Sequence, residues 1–155
     1  MKMSATKSLA THRVFAGQMN EAHTLFGGQT VSWLDEAASI SAHRFARRPL
    51  VTAGVDHMTY VAPVAIGDAV MYHSIVTGAG KRSLEVFTRI VGERMATGEH
   101  YLVGYAWLSF VTPEPAALPA LTIDDDFGAQ LHAGYAKRRA ANATARVALP
   151  TLPLD

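Results

Sequence analysis

The hydrophobic period of this chain changes once, early, and that change leaves few folds open to it. From Phe26 to about Arg47 the apolar residues Val31, Leu34, Ala38, Ile40 and Phe45 recur roughly at helical spacing, with few breakers after two glycines and Pro49 closing the segment. The runs that follow are strand-like: LVTAGVDHMTYV from Leu50, DAVMYHSIVT from Asp68, SLEVFTRIV from Ser83 and HYLVGYAWLSFVT from His100. The spacers APVAIGD, GAGKR and GERMATGE each carry glycine and are too short for crossover helices, so the strands pair antiparallel. One long helix and about five strands, counting a first strand within MKMSATKSLATHRVFAG, predict an α+β domain whose sheet wraps around the helix. Such a sheet keeps an edge strand, and pairing two copies edge to edge would cover it, so at least a homodimer is expected.

Composition narrows the function classes. The 155 residues, 49% of them hydrophobic, suit a single domain with a real core. A formal charge of +1 gives no broad basic field, which argues against nucleic acid as a partner. The absence of cysteine removes disulfides and thiolate metal sites. The basic, acid-free start resembles a transit peptide faintly but lacks the apolar core of a secretory signal, and it reads as an ordered strand with a frayed end in a cytoplasmic protein. Glycine, proline and charge interrupt every apolar run well short of a membrane span, so no membrane insertion is expected. After Pro113 the chain turns proline-rich and then helical, with Asp124, Asp125 and Asp126 where the helix would begin and Lys137, Arg138 and Arg139 nearer its end, matching the helix dipole. The expected organisation is one domain over residues 1–118 and a C-terminal helical extension and tail over 119–155.

The stretch NEAHTLFGGQTVSWLDEAA, from Asn20 to Ala38, carries the chemistry. Gly27 and Gly28 fall at the start of the helix, where backbone N–H groups lack intrahelical partners and the missing Cβ permits close approach, so they can polarise a carbonyl as an oxyanion forms. Asp35 lies deeper in the helix and could take a proton from water or attack a carbonyl carbon directly. Each has a plainer reading: a solvated face for Asp35 beside Glu36, a helix-start turn for Phe26-Gly27-Gly28, and a turn or cap for Asn20. TGAGKRS, from Thr77, lacks the glycine that a phosphate loop needs at Ile75 and joins two strands, so it reads as a hairpin tip whose Lys81 and Arg82 could meet phosphates. The seven histidines show no metal-binding spacing, and no metal is expected. His23, in the loop between Asn20 and Phe26, and His57, where a strand meets the expected pocket, are candidate substrate contacts. Ser32, Ser39 and Ser41 lack the nucleophile-elbow pattern.

These residues in this order resemble the hot dog fold acyl-CoA thioesterases, in particular the broad-specificity acyl-CoA hydrolase group. Its signature reads here as Asn20, Phe26, Gly27, Gly28 and Asp35, and the resemblance continues through VTAGVDHMTYVAPVAIGD, from Val51, and GKRSLEV, from Gly80, covering roughly residues 8 to 118. It departs at His23, where many members have glycine, and at Asp56. The resemblance implies hydrolysis of acyl-CoA to a free acid and coenzyme A, with coenzyme A part of substrate and product and no other cofactor. Asp35 would be the catalytic acid residue, Asn20 would orient the water or the thioester, and Gly27 and Gly28 would bind the carbonyl. Gly80, Lys81, Arg82 and Ser83 would meet the coenzyme A phosphates, and His23, Phe26 and His57 would line the pocket. The family places the asparagine of one subunit beside the acid of its partner and suggests tetramers or hexamers. Two other readings remain: a hot dog hydratase acting on acyl-CoA or acyl carrier protein, and a non-catalytic acyl-CoA sensor.

Overall fold

The computed structural model describes residues 1–147; the end of the expected C-terminal tail, residues 148–155, lies outside them. In chain order come β1 (Ser8–Arg13), α1 (Gly27–Ala46), β2 (Val51–Tyr60), β3 (Ala69–Ala79), β4 (Ser83–Arg94), β5 (Glu99–Val111), α2 (Asp126–Ala133) and α3 (Tyr135–Val147). The five strands form one antiparallel sheet in the order β1-β3-β4-β5-β2, curled around α1. This is the expected hot dog architecture, with β1 and β2 as its two edges.

Helix α1 forms because its buried stripe repeats at the helical period: Trp33, Leu34, Ala37, Ala38, Ser41, Ala42 and Phe45 face the sheet. The alanines bring the helix axis close to the strands, and Arg47 ends the helix in a left-handed conformation at φ 53°. Ile40, expected on the apolar face, is exposed. The sheet meets α1 with Val70, Tyr72 and Val76 of β3, Leu84, Val86 and Ile90 of β4, and Ala106, Leu108 and Phe110 of β5. Alternation sends His73, Phe87, Arg89, Tyr105 and Trp107 to the outer face.

Four local expectations are corrected. Gly78 and Ala79 belong to β3 and Gly92 to β4, so the turns are shorter than the glycine clusters indicate. Those two glycines make room for rings: a Cβ on Gly78 would lie 2.3 Å from Tyr135, and one on Gly92 2.2 Å from Tyr101. The amino-terminal segment is not frayed, since Met3 is buried and its N–H donates to Thr122 O at 2.8 Å. The extension holds two helices, not one, because the chain breaks at Gly134. Asp125 caps α2 by accepting from Gly128 N at 2.5 Å, while Lys137, Arg138 and Arg139 sit in the first turns of α3, where the dipole gives them no benefit. Arg138 is held by Glu85 instead, at 2.7 and 2.9 Å, and lies 5.0 Å from the Trp107 ring centroid. Among the described residues no helix is long and apolar enough to cross a membrane.

Candidate functional site

Two β2 side chains reach α1. Tyr60, at the end of the strand, donates its hydroxyl to Gly27 O at 2.9 Å, and Thr52, near its start, donates to Asp35 Oδ1 at 2.7 Å, about two helical turns further along α1. Thr52 was not singled out from the sequence, because its meaning lies in a contact between residues distant in the chain. Asp35 is half-buried, so its carboxylate is both oriented by Thr52 and open to a reactant.

The helix start leaves its first amides open. Among the described residues neither Gly27 N–H nor Gly28 N–H has a hydrogen-bond partner. The two glycines face different neighbours. A Cβ on Gly27 would meet the Tyr60 hydroxyl at 3.3 Å, whereas one on Gly28 would lie 2.4 Å from the Phe26 ring, which folds back over it. Phe26 is 56% exposed, an apolar ring standing in the open beside two free amides.

Asn20 organises the loop in front of them. Its Oδ1 accepts from Ala22 N at 3.0 Å and Thr24 N at 3.1 Å, and its Nδ2 donates to Thr24 Oγ1 at 3.0 Å. The turn so closed forces His23 to φ +57°, a left-handed conformation that suits glycine better than a residue with a side chain. The His23 imidazole is consequently held at the exposed loop tip. His57 stands apart from this group: it faces the outer side of the sheet, bonded to Thr59 Oγ1 at 3.0 Å and near the Tyr105 and Trp107 rings.

The hairpin tip Gly80–Ser83 lies at the same end of the sheet as the Asp35–Thr52 pair, since Ser83, Val111 and Val51 form one cross-strand row and Leu84, Phe110 and Thr52 the next. Its cations have different commitments. The Arg82 guanidinium donates to Thr112 O and Pro113 O at 3.2 and 3.1 Å, and Arg138 is forked onto Glu85. Lys81 and Arg139 have no carboxylate partner among the described residues. Arg139 lies across Gly80, with guanidinium atoms 3.0 Å from where a Cβ would stand. Among the described residues no three His, Asp or Glu side chains gather as a metal site.

A long helix wrapped by an antiparallel sheet, with free glycine amides at its start and a carboxylate along it, defines a hot dog protein built to handle a carbonyl compound. The profile of the Thioesterase superfamily matches residues 22–99, and the chain belongs to that family. It is 37% identical over 131 residues to the Bacillus subtilis protein named "uncharacterized acyl-CoA thioester hydrolase YkhA", covering 82% of this chain and 76% of the relative. Among solved structures, an acyl-CoA hydrolase from Staphylococcus aureus in complex with butyryl coenzyme A, coenzyme A and coenzyme A disulfide is 28% identical, with a TM-score of 0.88 over 95% of this chain and 92% of its own. Alanine variants of that hydrolase replace an asparagine, an aspartate and a threonine at the mutual spacing of Asn20, Asp35 and Thr52. An apo-hexameric acyl-CoA thioesterase is 25% identical with a TM-score of 0.90, covering 97% of this chain and 98% of its own.

Proposed function

We propose that this chain is an acyl-CoA thioesterase whose active site is assembled from two subunits. The observation that carries the reading is a separation. At 1.5 Å of rise per residue, the Gly28 amide and Asp35 stand roughly 10 Å apart along α1, more than one thioester carbonyl can bridge. A carbonyl held by the amides of one subunit therefore needs the carboxylate of another, and the exposed β2 edge offers the pairing surface that brings them together. Asn20, Gly27 and Gly28 come from one protomer, and Asp35 with Thr52 from its partner. The hexameric thioesterase among the structural neighbours supports assembly beyond the dimer, as a hexamer.

In the reaction, the Gly27 and Gly28 N–H groups donate to the thioester oxygen as negative charge builds there. Asp35 supplies the carboxylate, either removing a proton from the attacking water or adding to the carbonyl carbon itself. In both routes the C–S bond breaks and the thiolate of coenzyme A leaves and is protonated; in the first, water supplies the new oxygen of the free acid, and in the second an Asp35 oxygen does, the aspartyl–acyl anhydride so formed being opened by water at the Asp35 carboxyl carbon. Thr52 holds one Asp35 oxygen and leaves the other for the reaction. Asn20 orients the water or the thioester, and Phe26 and His23 border the entrance. Lys81 and Arg139, which have no carboxylate partner among the described residues, meet the coenzyme A phosphates, whereas Arg82 is held by backbone carbonyls and Arg138 by Glu85.

The test is thiol release from short, medium and long acyl-CoAs, with Asp35→Ala compared in parallel and its oligomer size checked by light scattering. Hydrolysis by the parent that falls about a hundredfold or more in the variant supports the assignment. Binding of acyl-CoA without thiol release would make the chain a sensor instead. Single turnover in oxygen-18 water separates the routes, because only a nucleophilic Asp35 acquires label.

A further inference from the structure

One cavity belongs to neither the Asp35–Thr52 pair nor the Gly80–Ser83 hairpin. It holds about 650 Å³ on the outer side of the β1 edge, four strands from β2, and is roofed by Phe127 of α2. That volume falls in the range of small-molecule sites, roughly 300–1,000 Å³.

Its lining combines two chemistries. Leu9, Ile75, Phe87 and Phe127 make an apolar interior, with Leu9 and Phe127 left largely open to solvent. Every ionisable side chain of the lining is basic: Lys7, Arg44, His73 and Arg89. Lys7 is paired with Asp125 at 3.0 Å, and Arg44 donates to the Lys7 carbonyl. Arg89 has no carboxylate partner among the described residues and stands directly across the sheet from His73, which in turn faces Leu9. Burial, then the charges of Arg89 and His100, lower the His73 pKa from its ordinary value, which favours the neutral ring, able to donate one N–H to an anion.

We infer that this cavity binds a single amphiphilic monoanion, a carboxylate carried on a medium-length alkyl chain, with Arg89 and His73 on the carboxylate and Leu9, Phe87 and Phe127 around the chain. One unpaired guanidinium beside a neutral imidazole matches a single planar negative charge better than a dianion. The apolar walls need a body that leaves water, which a small inorganic ion lacks. The inference does not rest on the acyl-CoA reading, because the cavity shares no residue with the proposed hydrolytic site.

Calorimetric titration of the intact oligomer with decanoate, in saturating coenzyme A, tests this. One decanoate per chain is expected, bound at least about tenfold more weakly after Arg89→Gln or Phe127→Ser, with decanol also at least about tenfold weaker than decanoate. Absence of binding, displacement of decanoate by coenzyme A, or affinity unchanged in both variants would overturn the site. Tighter binding of decyl phosphate than of decanoate would overturn the carboxylate assignment. A separate titration with coenzyme A alone reports on the hydrolytic reading, so the two can fail independently.

Discussion

The Thr52 hydroxyl donates to Asp35 Oδ1 at 2.7 Å, joining the edge strand of the sheet to the middle of the central helix. A hydrogen bond to a charged acceptor contributes about 1.5–3 kcal/mol, and here it holds one of the two Asp35 oxygens. Thr52→Val is expected to lower kcat by roughly ten- to a hundredfold while KM changes little, and Thr52→Ser to recover most of it. Steady-state thiol release over a substrate series reads both, and a loss confined to KM would show that Thr52 serves binding alone.

Gly28→Ala separates chemistry from stability. The new Cβ would meet only the movable Phe26 ring, and alanine favours the helix by about 1 kcal/mol, so the melting temperature should stay near that of the parent. Activity should fall as Phe26 is driven toward the free amides. Gly104→Ala is the contrasting case, because its Cβ would lie 2.3 Å from the Thr59 carbonyl oxygen, a backbone atom that cannot step aside. That variant should lose stability outright in thermal melts.

Removing Arg138 strands Glu85, whose side chain is only 4% exposed beneath α3. Breaking a buried pair at one partner costs about 3–5 kcal/mol, so Arg138→Ala should shift the urea midpoint strongly. Glu85→Gln combined with Arg138→Met should recover much of that loss, since the buried charge is then gone as well. Equal destabilisation in the single and double variants would contradict the pairing as the cause.

For the phosphate contacts the informative pair of substrates is an acyl-CoA and the matching acyl-pantetheine, which lacks the nucleotide. Lys81→Gln and Arg139→Gln are each expected to raise KM for the acyl-CoA by about tenfold and to leave the pantetheine thioester nearly unaffected. The effect should shrink at high salt. A rise with both substrates would place these cations on the acyl or pantetheine portion.

How far the sequence could be read follows from the distance over which each signal acts. The α1 stripe and the four strand runs are local periods, so Leu34, Ala38 and Phe45 as buried residues, and the succession of helix and strands along the chain, were legible. Gly27 and Gly28 were legible too, because a helix start is a local event. The Thr52–Asp35 contact was not, since it depends on β2 lying at the sheet edge. His57 was expected in the pocket because nothing in the alternation of β2 fixes its parity, and bulges between Thr52 and Gly54 and between Val55 and His57 break that alternation. Arg138 passed for a helix-end cation because Glu85 is far away in the chain and Gly134 does not announce a break.

The docking of the amino-terminal segment on the residues before α2 bears on the order in which the molecule can be completed. Ser4 N bonds Asp124 at 2.9 Å, Lys7 reaches Asp125 at 3.0 Å, and Met3 lies against Gly128, all across well over a hundred residues of intervening chain. During synthesis β1 emerges before the other strands of the sheet, yet the surface that seats the segment leading into it leaves the ribosome only after β5. Contacts of such long loop closure form late. β1 can pair with β3 before β5 is made, but the segment leading into β1 has no seat until Asp124, Asp125 and Gly128 follow, and a nascent chain stalled before Asp124 would carry that segment undocked, where a chaperone or a second chain could capture it.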